Sequence, residues 1–152
     1  MTTRRKALKH SAVVAGLLSA NGLFPQLAYA TFNKTAFEAK SMVDAYKALG
    51  LATPVENKAV VLQAPDIAEN GAVVPIGATC SLPGVKQMLF LVEKNPTTLI
   101  AVFNVSDSLD AALTTRCKMG QSSDVYAVAV MNDGKVFFAK KEVKVTLGGC
   151  GG

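Results

Sequence analysis

Histidine and tryptophan are almost absent from this chain of 152 residues, which holds a single histidine, His10, and no tryptophan. His10 lies in an N-terminal segment that we expect to be removed, so the mature chain has no imidazole. Without one, neither a Ser-His nor a Cys-His nucleophile pair can form, and the commonest metal ligand is missing. The absence argues against an enzyme and against a metal site.

Acidic residues are absent from the first 30 positions, which hold four basic residues. The net charge of +5 therefore comes mainly from this segment, since the other 12 basic residues nearly balance the 11 acids. No basic patch indicates nucleic-acid binding. Half of the residues are apolar and 18% are charged, a composition that suits one folded domain and argues against disorder.

Residues 1–30 have the pattern of a secretion signal. Arg4-Arg5 begin a twin-arginine-like sequence, an apolar stretch covers 12–24, and Ala28-Tyr29-Ala30 form a small-x-small cleavage site. The apolar stretch of about 13 residues is shorter than the ~20 needed to span a bilayer. We therefore expect export to the periplasm of a chain that begins near Thr31, with no membrane association. Ordinary Sec export and an uncleaved anchor are the alternatives.

The remaining chain predicts one helix followed by seven strands. Thr35 and Glu38 fit a capping box, apolar residues recur at helical spacing up to Leu49, and Gly50 suits a helix end. Short apolar segments separated by Gly, Pro and Asn predict strands over 58–63, 72–80, 85–93, 98–105, 109–119, 125–131 and 135–147. With no interleaved helices, they predict a mainly β fold: an immunoglobulin-like antiparallel β-sandwich that, with the helix, occupies residues 31–147.

Cys150 lies in a glycine-rich segment, 148–152, directly after the last predicted strand. Its neighbours are Gly148, Gly149, Gly151 and Gly152. Because glycine has no Cβ, the segment predicts a narrow, flexible arm that can carry the thiol into a deep pocket of another protein. Nothing in it can build a pocket or a base around the sulfur. Preceding charges predict a locally cationic end; they are Lys140, Lys141, Glu142 and Lys144.

Cys80 and Cys117 are the other two cysteines. In an exported domain, two internal cysteines commonly pair, and a disulfide between them is one prediction. The alternative is two buried thiols that pack as small apolar side chains. Three cysteines without histidine or a CxxC pair make a poor zinc pattern, so no metal is expected.

The terminal motif resembles the SoxY family, the sulfur-carrier subunits of periplasmic Sox thiosulfate-oxidising systems. The resemblance rests on the last strand, 142–147, running into Gly148–Gly152, on the twin-arginine-like leader, and on the segment Phe90-Leu91-Val92-Glu93-Lys94-Asn95-Pro96. It implies that Cys150 is the site of covalent sulfur attachment and that the chain is a carrier without catalytic residues or cofactor. Cys80 and Cys117 have no part in the family pattern.

The resemblance also implies partners. SoxZ would form a heterodimer with the chain, and the haem enzyme SoxXA would link Cys150 to the sulfane sulfur of thiosulfate, giving a Cys-S-sulfonate. SoxB would then release sulfate, and in some organisms a sulfane dehydrogenase would oxidise the remaining sulfur. An exposed apolar sheet face is expected at the SoxZ contact.

Two other functions compete with the carrier. The first is a secreted immunoglobulin-like binding module whose Cys150 forms an interchain disulfide. The second is a small thiol redox enzyme, which the missing CxxC pair and the missing proton acceptor disfavour.

Overall fold

The computed structural model describes residues 33–106 and 110–146, which form two short helices and nine strands. The helices are α1 (Lys34–Phe37) and α2 (Met42–Leu49). The strands are β1 (Val55–Glu56), β2 (Val60–Gln63), β3 (Ile67–Ala68), β4 (Val74–Cys80), β5 (Val85–Val92), β6 (Leu99–Asn104), β7 (Ala112–Cys117), β8 (Ser123–Met131) and β9 (Val136–Val145). The predicted signal segment 1–30 and the arm 148–152 lie outside the described residues.

The strands form two sheets. The first has the order β1-β9-β8-β5-β6, with β3 pairing β9 beside β1, and the second has the order β2-β4-β7. The prediction of a mainly β fold with two sheets is confirmed, and each of the seven predicted strands overlaps one of the longer observed strands, although β8 begins two residues before its predicted start. The expectation of purely antiparallel pairing is wrong at β1 and β3, because both run parallel to β9.

The first sheet is covered on both faces, which explains why its central strands read as continuous apolar runs. Along β5, Met88 and Phe90 pack toward the second sheet, whereas Leu89 and Leu91 pack toward the helices, and all four are fully buried. The order of layers is therefore helices, first sheet, second sheet. Phe90 meets the ring of Phe103 edge to face, with 6.1 Å between the ring centroids.

The single predicted helix is divided into α1 and α2. Asn33 and Ser41 are the N-caps, accepting from the backbone N–H groups of Ala36 and Asp44, so Thr35 does not cap as predicted. Between the helices the carbonyl of Ala39 accepts a hydrogen bond from the backbone of Thr98, at the start of β6. Because the carbonyl of Ala39 is hydrogen-bonded to the sheet, the helix is interrupted between Phe37 and Met42.

Two predicted chain reversals have the expected backbone. Gly50 ends α2 in the left-handed conformation, with φ 66°. Gly134, with φ 85°, closes the hairpin from β8 to β9. Glycine adopts these angles without the strain that a Cβ would introduce. The hairpin sets the register of β9 against β8, which pairs Ser123 with Val143 near the C-terminal end of β9.

No helix among residues 33–106 and 110–146 is both long and apolar enough to cross a membrane.

Candidate functional site

The C-terminal end of β9 is the described structure nearest to the predicted attachment site. β8 begins at Ser123, which pairs with Val143, so residues 144–146 extend beyond the end of β8. On their other side, β3 runs parallel to them, with Ala68 opposite Val145. We call Lys144–Thr146 the anchor segment, because it is the last part of the chain that the structure describes before the arm.

Backbone hydrogen bonds to the segment around β3 hold one edge of the anchor segment. The backbone N–H groups of Lys144 and Thr146 donate to the carbonyl oxygens of Asp66 and Ala68, at 3.0 and 3.1 Å. The Thr146 hydroxyl also donates to the carbonyl of Glu69, at 3.0 Å. The strand therefore stays paired up to Thr146, three residues after its last partner in β8.

A side chain replaces the missing strand on the opposite edge. The backbone N–H of Val145 donates to Ser122 Oγ at 2.9 Å, and this oxygen takes the place that a β8 carbonyl would occupy. Ser122 is only partly buried, and it immediately precedes β8. Serine next to a strand is a common loop residue, so no local pattern in the sequence singles Ser122 out.

The loop that carries Ser122 is fixed by the turn after β5. Asn95 Nδ2 donates to the carbonyl of Lys118 at 2.7 Å, and the Gly120 N–H donates to Asn95 Oδ1 at 3.3 Å. The backbone N–H of Lys94 donates to Ser123 Oγ at 3.0 Å. Lys94 and Asn95 belong to the segment 90–96 on which the resemblance partly rests, and these contacts give that segment a structural role beside the arm.

The charges on β9 are more balanced than the sequence suggests. Lys140 Nζ lies 3.0 Å from a carboxylate oxygen of Asp124, and Lys141 Nζ lies 2.9 Å from one of Asp66. The hydrogen bond and charge of Lys141 lower the pKa of the Asp66 carboxyl. Within the described residues, Lys144 has no ion pair. The predicted cationic end is therefore reduced to a single uncompensated lysine next to the arm, opposed by the exposed Glu142.

Cys80 and Cys117 are both buried and both free thiols. They lie on the neighbouring strands β4 and β7, but the antiparallel register sets Cys117 opposite Val74. Cys80 is six residues further along β4, about 20 Å away at the usual strand rise. A disulfide requires Cα atoms within roughly 7 Å, so the predicted bridge is wrong and the alternative of two buried thiols holds.

Burial also suppresses the reactivity of the internal thiols. Cys117 is 4% exposed, and desolvation raises its pKa from the ordinary 9.0 to about 11. Cys80 is 9% exposed and packs in the same core. Burial keeps both sulfurs away from a partner enzyme in the folded domain, and the raised pKa of Cys117 also makes its reactive thiolate scarce. Cys150, Gly148, Gly149, Gly151 and Gly152 lie outside the described residues.

Large aliphatic side chains are exposed at five described positions: Val43, Val55, Val61, Ile67 and Val73. Three of them lie on short strands: β1 and β3 pair with β9 in the first sheet, and β2 is an edge strand of the second sheet. The expectation of an exposed apolar sheet face at a partner contact stays a prediction. No group of three His, Cys, Asp or Glu among residues 33–106 and 110–146 is placed to hold a metal ion.

Comparison with known families gives a match to the sulfur oxidation protein SoxY over residues 45–150. The match covers well over half of the chain and extends to the cysteine of the terminal motif. The chain belongs to the SoxY family. No curated protein sequence is significantly similar to it.

A solved SoxY-family structure agrees with this assignment. The chain is 31% identical to the sulfur carrier protein SoxY from Chlorobium limicola f. thiosulfatophilum, with a TM-score of 0.61, over 69% of this chain and 96% of that one. A superoxide reductase (neelaredoxin) from Ignicoccus hospitalis is 16% identical, with a TM-score of 0.52, over 60% of this chain and 82% of that one. At such low identity the second likeness shows a shared fold alone. The resemblance to SoxY inferred from the sequence is confirmed.

Proposed function

We propose that this SoxY-family chain is a periplasmic sulfur carrier that holds thiosulfate-derived sulfur on Cys150 and presents it to Sox enzymes. One observation carries the proposal: the SoxY family match extends as far as Cys150. The burial of the other two thiols, Cys80 and Cys117, supports the same residue by elimination. The carrier itself catalyses no step and needs no cofactor other than the sulfur it holds.

Loading joins Cys150 Sγ to the sulfane sulfur of thiosulfate. The thiol loses its proton and the new S–S bond forms with release of two electrons, giving Cys-S-S-SO₃⁻. The haem enzyme SoxXA takes up the electrons. The carrier contributes only a thiol with free access, because the oxidant belongs to the partner.

Unloading begins with hydrolysis of the terminal S–SO₃ bond by SoxB. Water supplies the fourth oxygen of sulfate, and the sulfane sulfur stays on Cys150 as a persulfide. A sulfane dehydrogenase then oxidises that sulfur in organisms that have one. Covalent attachment keeps the reactive sulfur at high effective concentration during successive visits to these sites.

The arm suits such visits by its width and length. Cys150 is four residues after Thr146, so its Cα can lie at most about 13–14 Å from that of Thr146. Glycine on both sides adds no side-chain width to the backbone that enters a pocket. The carrier domain can then remain outside each enzyme while the thiol enters it.

SoxZ is the proposed permanent partner, and the exposed aliphatic residues Val55, Val61 and Ile67 are the described candidates for its contact. All three are well exposed, from 47% to 60%. Burial of such side chains is the usual driving force for association. Ile67→Lys should weaken the heterodimer measured by analytical ultracentrifugation, while Val43→Lys on α2 should leave it unchanged; an unaffected heterodimer with Ile67→Lys would move the contact elsewhere.

Export by the twin-arginine route belongs to the same proposal, because that route moves folded proteins and a leaderless partner could cross with the chain. The two sheets packed face to face are consistent with an immunoglobulin-like classification of the carrier domain.

The deciding experiment is intact mass spectrometry of the exported protein. It is isolated without reductant from cells grown on thiosulfate, and measured before and after reduction. A reducible adduct of one S₂O₃ unit or of single sulfur atoms is expected on the wild type. Cys150→Ser should abolish it, whereas Cys80→Ala and Cys117→Ala should retain it.

Two results would contradict the carrier. An unmodified mass under these conditions would show that no covalent intermediate forms. A Cys150-linked dimer as the sole reducible species would favour the secreted binding module. An adduct that persists in Cys150→Ser would place the sulfur on another residue.

A further inference from the structure

The root of the arm is held on both edges although the sheet has already ended on one of them. Beyond Val143, β9 has no partner strand in β8, and chain ends of this kind usually fray. Here the backbone N–H of Val145 is bonded to a side chain, Ser122 Oγ, and the Thr146 hydroxyl is bonded to the carbonyl of Glu69. Neither contact is part of the regular strand pairing, so both depend on the identity of a single residue.

The residue that supports Ser122 is Asn95. Its amide side chain both donates to the 118–121 loop and accepts from it. The Gln121 side chain returns a hydrogen bond to the carbonyl of Lys94, at 3.4 Å. The loop that presents Ser122 is therefore tied to the turn at the end of β5, a strand of the first sheet.

We propose that Ser122 and Thr146 are positioning residues that set the length and the starting direction of the sulfur-carrying arm, with Asn95 holding Ser122 in place. This inference rests on the proposed carrier function. The two residues do not touch the sulfur. They act by keeping Lys144–Thr146 attached to the domain.

The effect on reach follows from covalent geometry. With the anchor segment attached, four residues separate Thr146 from Cys150, a span of about 13–14 Å. If the segment detaches back to Val143, seven residues are free and the span becomes roughly 23–25 Å. Effective concentration falls as about the −3/2 power of tether length, so the thiol is delivered to a docked enzyme roughly twofold less often.

The test compares loading kinetics of the SoxYZ complex with thiosulfate and SoxXA. The double variant Ser122→Ala/Thr146→Val removes both side-chain contacts, and Ser106→Ala/Thr114→Val is a matched control at two exposed positions away from the arm root. Thr146→Ser keeps the hydroxyl and should behave as the wild type. Three glycines inserted after Thr146 lengthen the arm to seven residues without altering the contacts.

The expected result is a roughly twofold lower kcat for the glycine insertion and a smaller decrease for the double variant, with KM for the carrier unchanged in both. The decrease is smaller because the backbone hydrogen bonds of Lys144 and Thr146 remain and still favour the attached segment. Partial unfolding would instead lower the concentration of competent carrier and raise the apparent KM. An unchanged or increased kcat in the double variant, or an effect confined to KM, would overturn the positioning role.

Amide hydrogen exchange separates this inference from the carrier function itself. The N–H groups of Val145 and Thr146 should be protected in the wild type and exchange faster in the double variant, whether or not the protein loads sulfur. Failure of every variant and of the wild type to load would refute the carrier. Unchanged exchange at both amides would refute the anchor alone.

Discussion

Iodoacetamide at pH 8 should alkylate Cys117 of the folded protein at least about 100-fold more slowly than an exposed thiol. The side chain is 4% exposed at the end of β7, and burial raises its pKa from 9.0 to about 11. Alkylation proceeds through the thiolate, so its rate follows the ionised fraction. The prediction tests whether the buried cysteines can be excluded as carrier thiols, which is one support for the proposal that Cys150 carries the sulfur.

The magnitude comes from the pKa difference. At pH 8 a thiol with pKa 9.0 is about one-tenth ionised, whereas one with pKa about 11 is about one-thousandth ionised, which accounts for the factor of roughly 100. Local opening of the core is needed in addition before the reagent can reach the sulfur, and it slows the reaction further. Cys80, at 9% exposure, should also react slowly.

The assay follows each cysteine separately. Aliquots are quenched over time, digested, and the alkylated fraction of each cysteine peptide is measured by mass spectrometry. In denatured protein the three thiols should react at similar rates, which controls for local sequence. If Cys117 in the folded protein reacted within tenfold of Cys150, the burial argument would fail and a second thiol would be available for sulfur.

Three further predictions concern stability and the arm. Phe90→Ala should lower the unfolding free energy by about 3–5 kcal/mol, because its ring is fully buried. Val61→Ala, at an exposed position, should lower it by less than about 0.5 kcal/mol. Urea denaturation measures both free energies. The pKa of Asp66 is lowered in the folded protein, so the unfolded chain takes up the proton first as pH falls. The unfolding free energy should therefore decrease below about pH 4 more steeply than in Asp66→Asn, and parallel curves would contradict this. Gly149→Val should leave thermal unfolding unchanged and slow thiosulfate loading of Cys150, since a branched side chain widens the arm; loading at the wild-type rate would exclude the steric argument.

The longer strands were predictable because their signals are local. β5 and β8 combine apolar residues for two buried faces, and the Asn132-Asp133-Gly134 turn marks the hairpin between β8 and β9. The two-residue strands β1 and β3 carry no such periodicity. They exist because β9 offers them free backbone groups, which is a property of the assembled sheet.

The predictions of the helix boundary and of the cysteine pairing failed because both depend on contacts between residues far apart in the sequence. Asn33, Thr35 and Ser41 are all acceptable N-caps, and the contact between Ala39 and Thr98, far apart in sequence, decides where the helix is interrupted. The disulfide prediction rested on the frequency of such pairs in exported domains, and the sequence does not reveal the register of the two strands. A shift of six residues along β4 separates a bonded pair from two isolated thiols.

The candidate site also combines one residue that a local motif indicates with another whose role depends on contacts between distant parts of the chain. The proposed attachment residue rests on a local signal, because Cys150 between glycines is a short motif in the sequence and the family match extends to it. Ser122 could not be predicted, since its partner Val145 is 23 residues away and the contact arises only because the pairing of β9 with β8 stops at Val143, two residues before Val145. The role of Ser122 becomes visible only when the structure shows that Val145 has no partner residue in β8.

The strength of the anchor segment decides whether an enzyme that binds Cys150 can lengthen the arm by detaching β9. At least four hydrogen bonds hold Lys144–Thr146 to residues outside β9, among them those from the N–H groups of Lys144, Val145 and Thr146 and that from the Thr146 hydroxyl. At a net 0.5–1.5 kcal/mol each, detachment costs about 2–6 kcal/mol. The lower limit suits these solvent-accessible contacts, and even it keeps the attached form favoured by roughly 30-fold.

Further detachment is more costly, because beyond Val143 each step also breaks the pairing with β8, which extends over eight register positions from Val143 back to Val136. The arm therefore has a defined length at equilibrium. An enzyme whose reacting centre lies deeper than about 14 Å below its surface would have to accept part of the carrier domain in its entrance. The point at which β9 stays bonded therefore limits how deep a partner's active site can lie. A partner whose entrance is narrow and deeper than about 14 Å would be incompatible with delivery by Cys150.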